Sequence, residues 1–134
     1  MKNQLKQTLI ALLFGVCCCT PEWLQAADVQ HSFFVAGPDF TGIVGEDGEP
    51  KWDSGRAGAR DGWVLPGGNV LIAWGDVVRE FTPQKEVVFE YKLNPVNSEI
   101  GTAQRLANGN TLITELGTKP RLLEVDVDGK VAVE

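Results

Sequence analysis

The chain of 134 residues has few of the residue types on which many catalytic sites depend. It contains one histidine, His31, which disfavours histidine-ligated metal sites and Ser–His or Cys–His catalytic pairs. Its three cysteines, Cys17 to Cys19, are consecutive and lie in an N-terminal leader. This position excludes a disulfide framework and a cysteine-based zinc site from the rest of the chain. The sequence therefore predicts no catalytic residue, no metal site and no cofactor.

The first 26 residues are typical of an export signal. Lys2 and Lys6 precede an apolar run over residues 9–19, which is shorter than the about 20 residues that span a bilayer. We expect cleavage after Ala26, with Ala27 as the alternative site. The alternative interpretations of the leader are a lipid anchor at Cys17 and an anchor that is not cleaved. The mature chain is thus predicted to be exported, to the periplasm or beyond the cell, without a membrane span of its own.

The charge of the chain argues against two classes of partner. The sequence has 12 Lys and Arg residues and 18 Asp and Glu residues. Without Lys2, Lys6 and Glu22 of the leader, 10 basic and 17 acidic residues remain, a net charge of −7. Nucleic acid and anionic membrane surfaces are poor partners for such a chain.

An internal repeat of about 41 residues predicts the fold. Residues 65–72 align with residues 106–113, and residues 80–90 align with residues 124–134, with an earlier copy at 43–53. Apolar residues alternate along these segments, as in half-buried strands. Glycine-containing pairs separate the strands, as expected of two-residue hairpin turns; these are Asp47-Gly48, Gly67-Gly68, Asn108-Gly109 and Asp128-Gly129.

Four antiparallel strands in about 41 residues match one blade of a β-propeller. The strand count is three in 31–53, four in 61–92 and four in 101–134, so the first group lacks its leading strand. We therefore expect an all-β fold, an incomplete β-propeller of two full blades and a partial one. A parallel solenoid is the competing architecture, but its coils are usually shorter and lack a strong hairpin in every unit.

Closure of such a propeller requires more blades than this chain supplies. Propellers use about 4–8 blades, whereas residues 27–134 hold fewer than three units. Each blade buries its faces against its neighbours, so both ends of the array would expose apolar faces. Self-association into a ring, or a companion propeller segment, would cover them.

Residues 105–115 and 121–130 resemble the repeat of exported bacterial β-propellers in the pyrroloquinoline-quinone-like group, which includes arylsulfotransferase-like propellers. The resemblance covers residues 31–134. For an arylsulfotransferase-like member it implies a histidine nucleophile, for which His31 is the candidate. For a quinone-dependent member it implies calcium ligands and Gly-x-x-x-Trp docking motifs, a spacing that Gly48 and Trp52 match once.

Six side chains are candidates for ligand binding. Five of them fall on innermost strands, which border the central channel of a closed propeller; they are Arg60, Asp61, Trp63, Gln104 and Arg105. The sixth, Glu115, falls on a second strand, at the position that Trp74 has in the previous unit. The arginines suit an anionic ligand, and Trp63 suits stacking on a ring. The alternative is that these residues form salt bridges and packing contacts between blades.

Other conspicuous residues have structural interpretations. The run Glu124-x-Asp126-x-Asp128-Gly129 approaches a calcium loop, but its strand-like flanks favour a hairpin. Large aromatic residues are expected to pack between blades; these are Trp52, Trp74, Phe81, Phe89 and Tyr91.

The function expected from these observations is that of an exported binding or interaction module without its own catalytic site. Its ligand would be a small molecule, a glycan or a protein. One alternative is a fragment or subunit of an arylsulfotransferase-like or quinoprotein-like enzyme, whose partner segment supplies the missing histidines or calcium ligands. The other is a truncated remnant without independent activity.

Overall fold

The computed structural model describes residues 31–134, and the predicted signal peptide lies outside these described residues. The described part of the chain consists of eleven β-strands in three antiparallel sheets, none of which closes into a barrel. Residues 31–134 include no helix that could cross a membrane. The expected all-β fold is confirmed.

The strands follow one another along each sheet in chain order. Sheet 1 contains β1 (Phe33–Ala36), β2 (Thr41–Val44) and β3 (Pro50–Asp53). Sheet 2 contains β4 (Asp61–Val64), β5 (Val70–Ala73), β6 (Val77–Phe81) and β7 (Val87–Lys92). Sheet 3 contains β8 (Asn97–Arg105), β9 (Thr111–Gly117), β10 (Arg121–Val125) and β11 (Val131–Val133). The predicted strand counts of three, four and four are thus confirmed.

Sheet 1 corresponds to the last three strands of sheet 2. Phe33 pairs with Val44 on neighbouring strands, as Val70 pairs with Phe81 in sheet 2. In the next hairpin of each sheet, the pairing shifts register directly before the second residue of this pair, Val44 in sheet 1 and Phe81 in sheet 2. The two sheets therefore share one register, and sheet 1 lacks the counterpart of β4.

Sheet 2 lies between the other two sheets, and its strand β5 is buried on both faces. Because successive side chains of a strand point to opposite faces, Val70 and Ile72 enter one core and Leu71 and Ala73 enter another. A strand that is apolar without alternation is typical of such two-sided burial.

The first core fills the space between sheets 1 and 2. Its buried members from sheet 2 include Trp74 and Phe81, whose rings meet edge to face with centroids 6.2 Å apart. Phe34, Ile43 and Trp52 of sheet 1 pack against them. The Trp52 indole also donates a hydrogen bond to the Pro83 carbonyl (3.1 Å).

The second core fills the space between sheets 2 and 3. It combines side chains of β5, β6 and β7 with side chains of β8, β9 and β10. Phe89 and Tyr91 contribute from sheet 2, and the fully buried members from sheet 3 are Ile100, Ile113, Leu123 and Val125. The prediction that the large aromatic residues pack between sheets is confirmed in both cores.

The hairpin loops differ from the expected two-residue turns. In the β4–β5 hairpin, the Leu65 amide donates to the Asn69 carbonyl (2.8 Å) and the Gly68 amide donates to Leu65 (2.9 Å). This pattern defines a three-residue loop, in which both Gly67 and Gly68 have positive φ. Four further hairpins share the hydrogen bonds but have one positive-φ residue each, as in the usual type I turn followed by such a residue. These residues are Gly48, Lys85, Gly109 and Gly129.

Strand β8 also differs from the expectation, because it begins at Asn97, several residues earlier than the predicted leading strand. Its pairing with β9 shifts register twice, between Asn97 and Glu99 and between Ile100 and Ala103. Such bulges break the alternation by which a strand is recognised in a sequence. They also let Ile100 and Ala103 both face sheet 2.

A glycine allows sheets 1 and 2 to approach closely. A Cβ atom at Gly62 of β4 would lie 2.3 Å from the Phe34 ring of β1. Since atoms cannot approach so closely, the ring occupies the space that any side chain would need. The corresponding position of β8 is held by the small residue Ala103, which is buried against sheet 2.

We expect Lys85→Gly to stabilise the protein. Lys85 has a φ of 70°, a left-handed conformation that costs an L-residue about 1 kcal/mol or more relative to glycine. Part of that gain is offset because glycine is more flexible when unfolded. Denaturant unfolding should therefore show an increase of about 0.5–1 kcal/mol.

The matched variant for this test is Gly109→Ala, at the same loop position of another hairpin. A Cβ atom there would meet no other atom within 4 Å, so the change tests backbone conformation alone. The φ of 91° predicts a loss of about 1 kcal/mol. Equal effects of the two substitutions would contradict the shared loop geometry.

Gly62→Ala should destabilise the protein by about 1–3 kcal/mol, because the methyl group overpacks the contact with Phe34. Combination with Phe34→Leu should recover part of this loss, since the two positions are in contact. Thermal unfolding of both single variants and the double variant gives the coupling. Strictly additive effects would show that the contact is not formed.

Candidate functional site

Five of the six predicted ligand-binding residues make contacts between sheets 2 and 3. We call this set of polar contacts the inter-sheet seam; its predicted members are Arg60, Asp61, Trp63, Arg105 and Glu115. The sixth residue, Gln104, is exposed. Its side chain points to the face of β8 opposite Ala103, away from sheet 2. The structure thus separates Gln104 from the other five.

One part of the seam joins β4 to β8. The Asp61 carboxylate accepts hydrogen bonds from the Thr102 hydroxyl and from the Ala103 amide (3.4 Å). The indole of Trp63 donates to the Ala103 carbonyl (2.9 Å), while 48% of the residue remains exposed. The hydrogen bond holds the ring in one orientation without burying it.

Arg60 precedes β4 and extends the same contact region. Its guanidinium forms an ion pair with Glu99 of β8, and both side chains are partly exposed. Exposed ion pairs contribute about 0–1 kcal/mol. The pair therefore adds charge of both signs to this surface and little to stability.

Arg105, the last residue of β8, crosses to sheet 2. Its guanidinium forms an ion pair with Glu80 and lies 5.0 Å from the centre of the Phe89 ring. Asn69 donates to the other Glu80 oxygen (2.7 Å). With 18% of the Arg105 side chain exposed, this residue is a bridge between sheets.

Glu115 of β9, which pairs with Ile100 of β8, is completely buried. Donors from both sides of the seam surround its carboxylate. They are Tyr91 OH (2.7 Å), Asn94 N (2.9 Å), Asn97 Nδ2 (2.8 Å) and Arg121 Nη2 (2.8 Å). A buried carboxylate with this many partners is compensated for its lost hydration.

The surroundings of Glu115 shift two titrations in opposite directions. Burial alone would raise the pKa of the Glu115 carboxyl. The hydrogen bonds outweigh that penalty and lower the pKa to about 2. Burial, together with the hydrogen bond to the Glu115 carboxylate, raises the pKa of the Tyr91 phenol above its usual value. The pair is therefore a carboxylate and a neutral phenol at neutral pH.

The sequence contains a signal for this buried ion pair that lies in the repeat and not in any motif. Glu115 occupies in sheet 3 the position that Trp74 has in sheet 2, and it pairs across the strands with Arg121. The corresponding partner of Trp74 is Val77. An apolar pair in one unit is thus replaced by opposite charges in the next, which is expected of a pair that is buried together.

An open cleft of about 520 Å³ lies beside Glu115, and two partners of its carboxylate, Asn94 and Arg121, line it. Arg121 lines it, but its guanidinium is engaged by Glu115 and Glu134. The cleft is therefore less suited to anions than its composition suggests. Its lining is Asn94, Val96, Lys119, Pro120, Arg121 and Glu134.

The remaining motifs have structural roles in the described chain. Asp126 accepts hydrogen bonds from the amides of Asp128 and Lys130, which confirms the hairpin interpretation of this acidic run. Gly48 closes a hairpin, and Trp52 faces sheet 2. His31 is exposed. Residues 31–134 contain no group of three or more His, Cys, Asp or Glu side chains placed to hold a metal ion.

Comparison with known proteins adds information about the fold. No protein-family profile matches the chain, and no curated protein matches it. The chain is similar to the crystal structure of a protein of unknown function from Bacteroides caccae, with a TM-score of 0.63 and 20% sequence identity. The match covers 76% of this chain and 39% of that one. The chain thus spans well under half of that protein's length.

We expect acid to destabilise the protein through Glu115. Its pKa is about 2 when folded, against an ordinary value of 4.5, so its ionised form favours folding above pH 4.5. That contribution, about 3 kcal/mol, is lost as the pH falls from about 4.5 towards 2. Denaturant unfolding at several pH values measures it.

Glu115→Gln should remove this acid dependence and cost about 3 kcal/mol at neutral pH, because Arg121 loses its buried partner. The matched control is Glu46→Gln, an exposed position, which should leave both the stability and its pH profile near those of the parent. An unchanged acid profile in Glu115→Gln would show that other carboxylates govern acid unfolding.

Proposed function

We propose that the chain is an exported, β-propeller-type binding module that captures polar ring-containing ligands, with glycans as the expected class. The observation that carries this proposal is Trp63. Its indole is fixed by a hydrogen bond to Ala103, yet almost half of the residue faces solvent. A fixed and exposed aromatic ring is a ready stacking surface, because little freedom is lost when a ligand binds.

The propeller assignment is supported by three features. The units of sheets 2 and 3 each consist of four antiparallel strands in chain order. Their first strands, β4 and β8, contact one another, and β4 also contacts β1. The third feature concerns the fold alone: this arrangement of sheets recurs in a solved structure, with a TM-score of 0.63 over 76% of this chain.

Polar groups near Trp63 favour a hydroxylated ligand. Asp61, two residues before the tryptophan, forms a carboxylate–hydroxyl pair with Thr102, the neighbour of the Ala103 that accepts the indole hydrogen bond. The Arg60–Glu99 ion pair, with 46% and 34% of its side chains exposed, offers donors and acceptors nearby. Sugar rings combine an apolar face for stacking with hydroxyl groups for such partners.

Export is part of the proposal and rests on the leader. A basic start, a short apolar run and small residues near Ala26 are typical of secretory signals. Mass spectrometry of the protein from cells that express all 134 residues tests it. A product beginning at Ala27 supports export with cleavage, and a full-length product in the cytosol contradicts it.

Ligand binding is tested by titration with a panel of soluble oligosaccharides, both neutral and uronic-acid-containing. Tryptophan fluorescence and calorimetry are the readouts. We expect Trp63→Ala to weaken binding by about tenfold or more, since the stacking contact is worth about 1.4 kcal/mol. Trp63→Phe, which keeps a ring, should lose less affinity.

The control for this experiment is Val64→Ala, which changes an exposed neighbour on the same strand. It should leave affinity unchanged while reporting any general effect on β4. Equal binding by Trp63→Ala and the parent would overturn the assignment of the site, and an absence of binding across the whole panel would overturn the ligand class.

A further inference from the structure

The two end sheets expose apolar faces that correspond to the faces already packed inside the stack. We call the face of a sheet that points toward the next unit its forward face, and the face that points toward the previous unit its rear face. Sheet 2 buries both, against sheets 3 and 1. The forward face of sheet 3 and the rear face of sheet 1 have no neighbouring sheet in residues 31–134.

The forward face of sheet 3 repeats that of sheet 2 position by position. The strand pairing that joins Leu71 to Glu80 in sheet 2 joins Leu112 to Glu124 in sheet 3. By this register, sheet 3 presents Leu112, Thr114, Leu122 and Val133 where sheet 2 presents Leu71, Ala73, Val78 and Phe89. All four residues of sheet 2 are buried against sheet 3, whereas Leu122 and Val133 are 57% and 58% exposed.

A polar contact confirms that the two faces correspond. Asn69 donates to Glu80, and Asn110 donates to Glu124, each at 2.7 Å. Asn108 donates to the same Glu124 oxygen. In sheet 2 the other oxygen of the equivalent Glu80 binds Arg105 from the next sheet. The forward face of sheet 3 therefore carries the same carboxylate in the same position.

The rear face of sheet 1 repeats that of sheet 2 in the same way. Phe33 pairs with Val44 as Val70 pairs with Phe81. Val35 then corresponds to Ile72, and Phe40 corresponds to Val77. The four residues of sheet 2 are all buried in the core against sheet 1. Phe33, by contrast, is 41% exposed.

We propose that the forward face of sheet 3 docks onto the rear face of sheet 1 of a second copy of this chain. One kind of partner then covers both exposed faces, with the same type of contact that stacks the sheets within the chain. Such a contact joins different surfaces on the two copies, and it forms a ring when the rotation closes. Two copies in a ring give six sheets, within the about 4–8 of a propeller.

The solution mass is the first test. The protein from cells that express all 134 residues is measured by light scattering after size exclusion, over a range of concentrations. We expect twice the protomer mass that mass spectrometry gives. A monomer at every concentration, with β-type circular dichroism, would overturn the proposal.

Two single variants then identify the faces. Leu122→Glu places a charge on the forward face of sheet 3, and Phe33→Glu places one on the rear face of sheet 1. Each should halve the mass to that of a monomer, because every contact of the ring uses both faces. Val88→Glu, at an exposed residue of β7, is the matched control and should keep the parent mass.

Mixing the two variants separates this contact from other kinds of dimer. The forward face of Phe33→Glu and the rear face of Leu122→Glu are both intact, so the mixture should form a heterodimer with one restored contact. Circular dichroism of each variant verifies folding. If Phe33→Glu alone remains a dimer, or if the mixture stays monomeric, docking of sheet 3 on sheet 1 is excluded.

Discussion

The rest of the structure depends on the burial of β5 on both of its faces. Four successive residues, Val70 to Ala73, are almost inaccessible to solvent, and they alternate between two cores. Sheets 1 and 3 each obtain their principal apolar contact from the sheet that contains this strand. Neither outer sheet shares a core with the other, so the stability of both depends on their packing against sheet 2. Loss of packing around β5 would therefore weaken the whole stack.

Polar contacts specify how the sheets are stacked, in addition to the apolar cores. Between sheets 2 and 3, the seam includes the contacts of Asp61, of Arg105 and of the buried Glu115. Apolar burial is non-directional, whereas a carboxylate held by four donors has a defined geometry. The replacement of the pair Trp74 and Val77 by Glu115 and Arg121 in the next unit makes the two interfaces of sheet 2 chemically different. This difference favours one order of sheets.

Much of the fold was predictable from the repeat, because hairpins are local and their glycines are conspicuous. The strand counts and the aromatic packing followed directly from it. The three-residue loops did not, since Asp128-Gly129 suits either turn and the flanking register decides between them. The early start of β8 was not predictable because its two bulges interrupt the alternation of apolar and polar residues. For the candidate site, the sequence placed Arg60, Asp61 and Trp63 on an inner strand, but it could not show that their partners would be Glu99, Thr102 and Ala103.

The order of the strands has a consequence for how the protein acquires its structure. Each strand pairs with its immediate neighbour in the chain, without a crossover, so every hairpin closes through a loop of a few residues. Contacts of such short sequence separation form rapidly and with little loss of loop entropy. A chain that emerges from a ribosome or a translocation channel can therefore complete one sheet before the next is available. We then expect the stacking of finished sheets to be the slow step, because the second face of β5 is covered only by side chains of β8, β9 and β10.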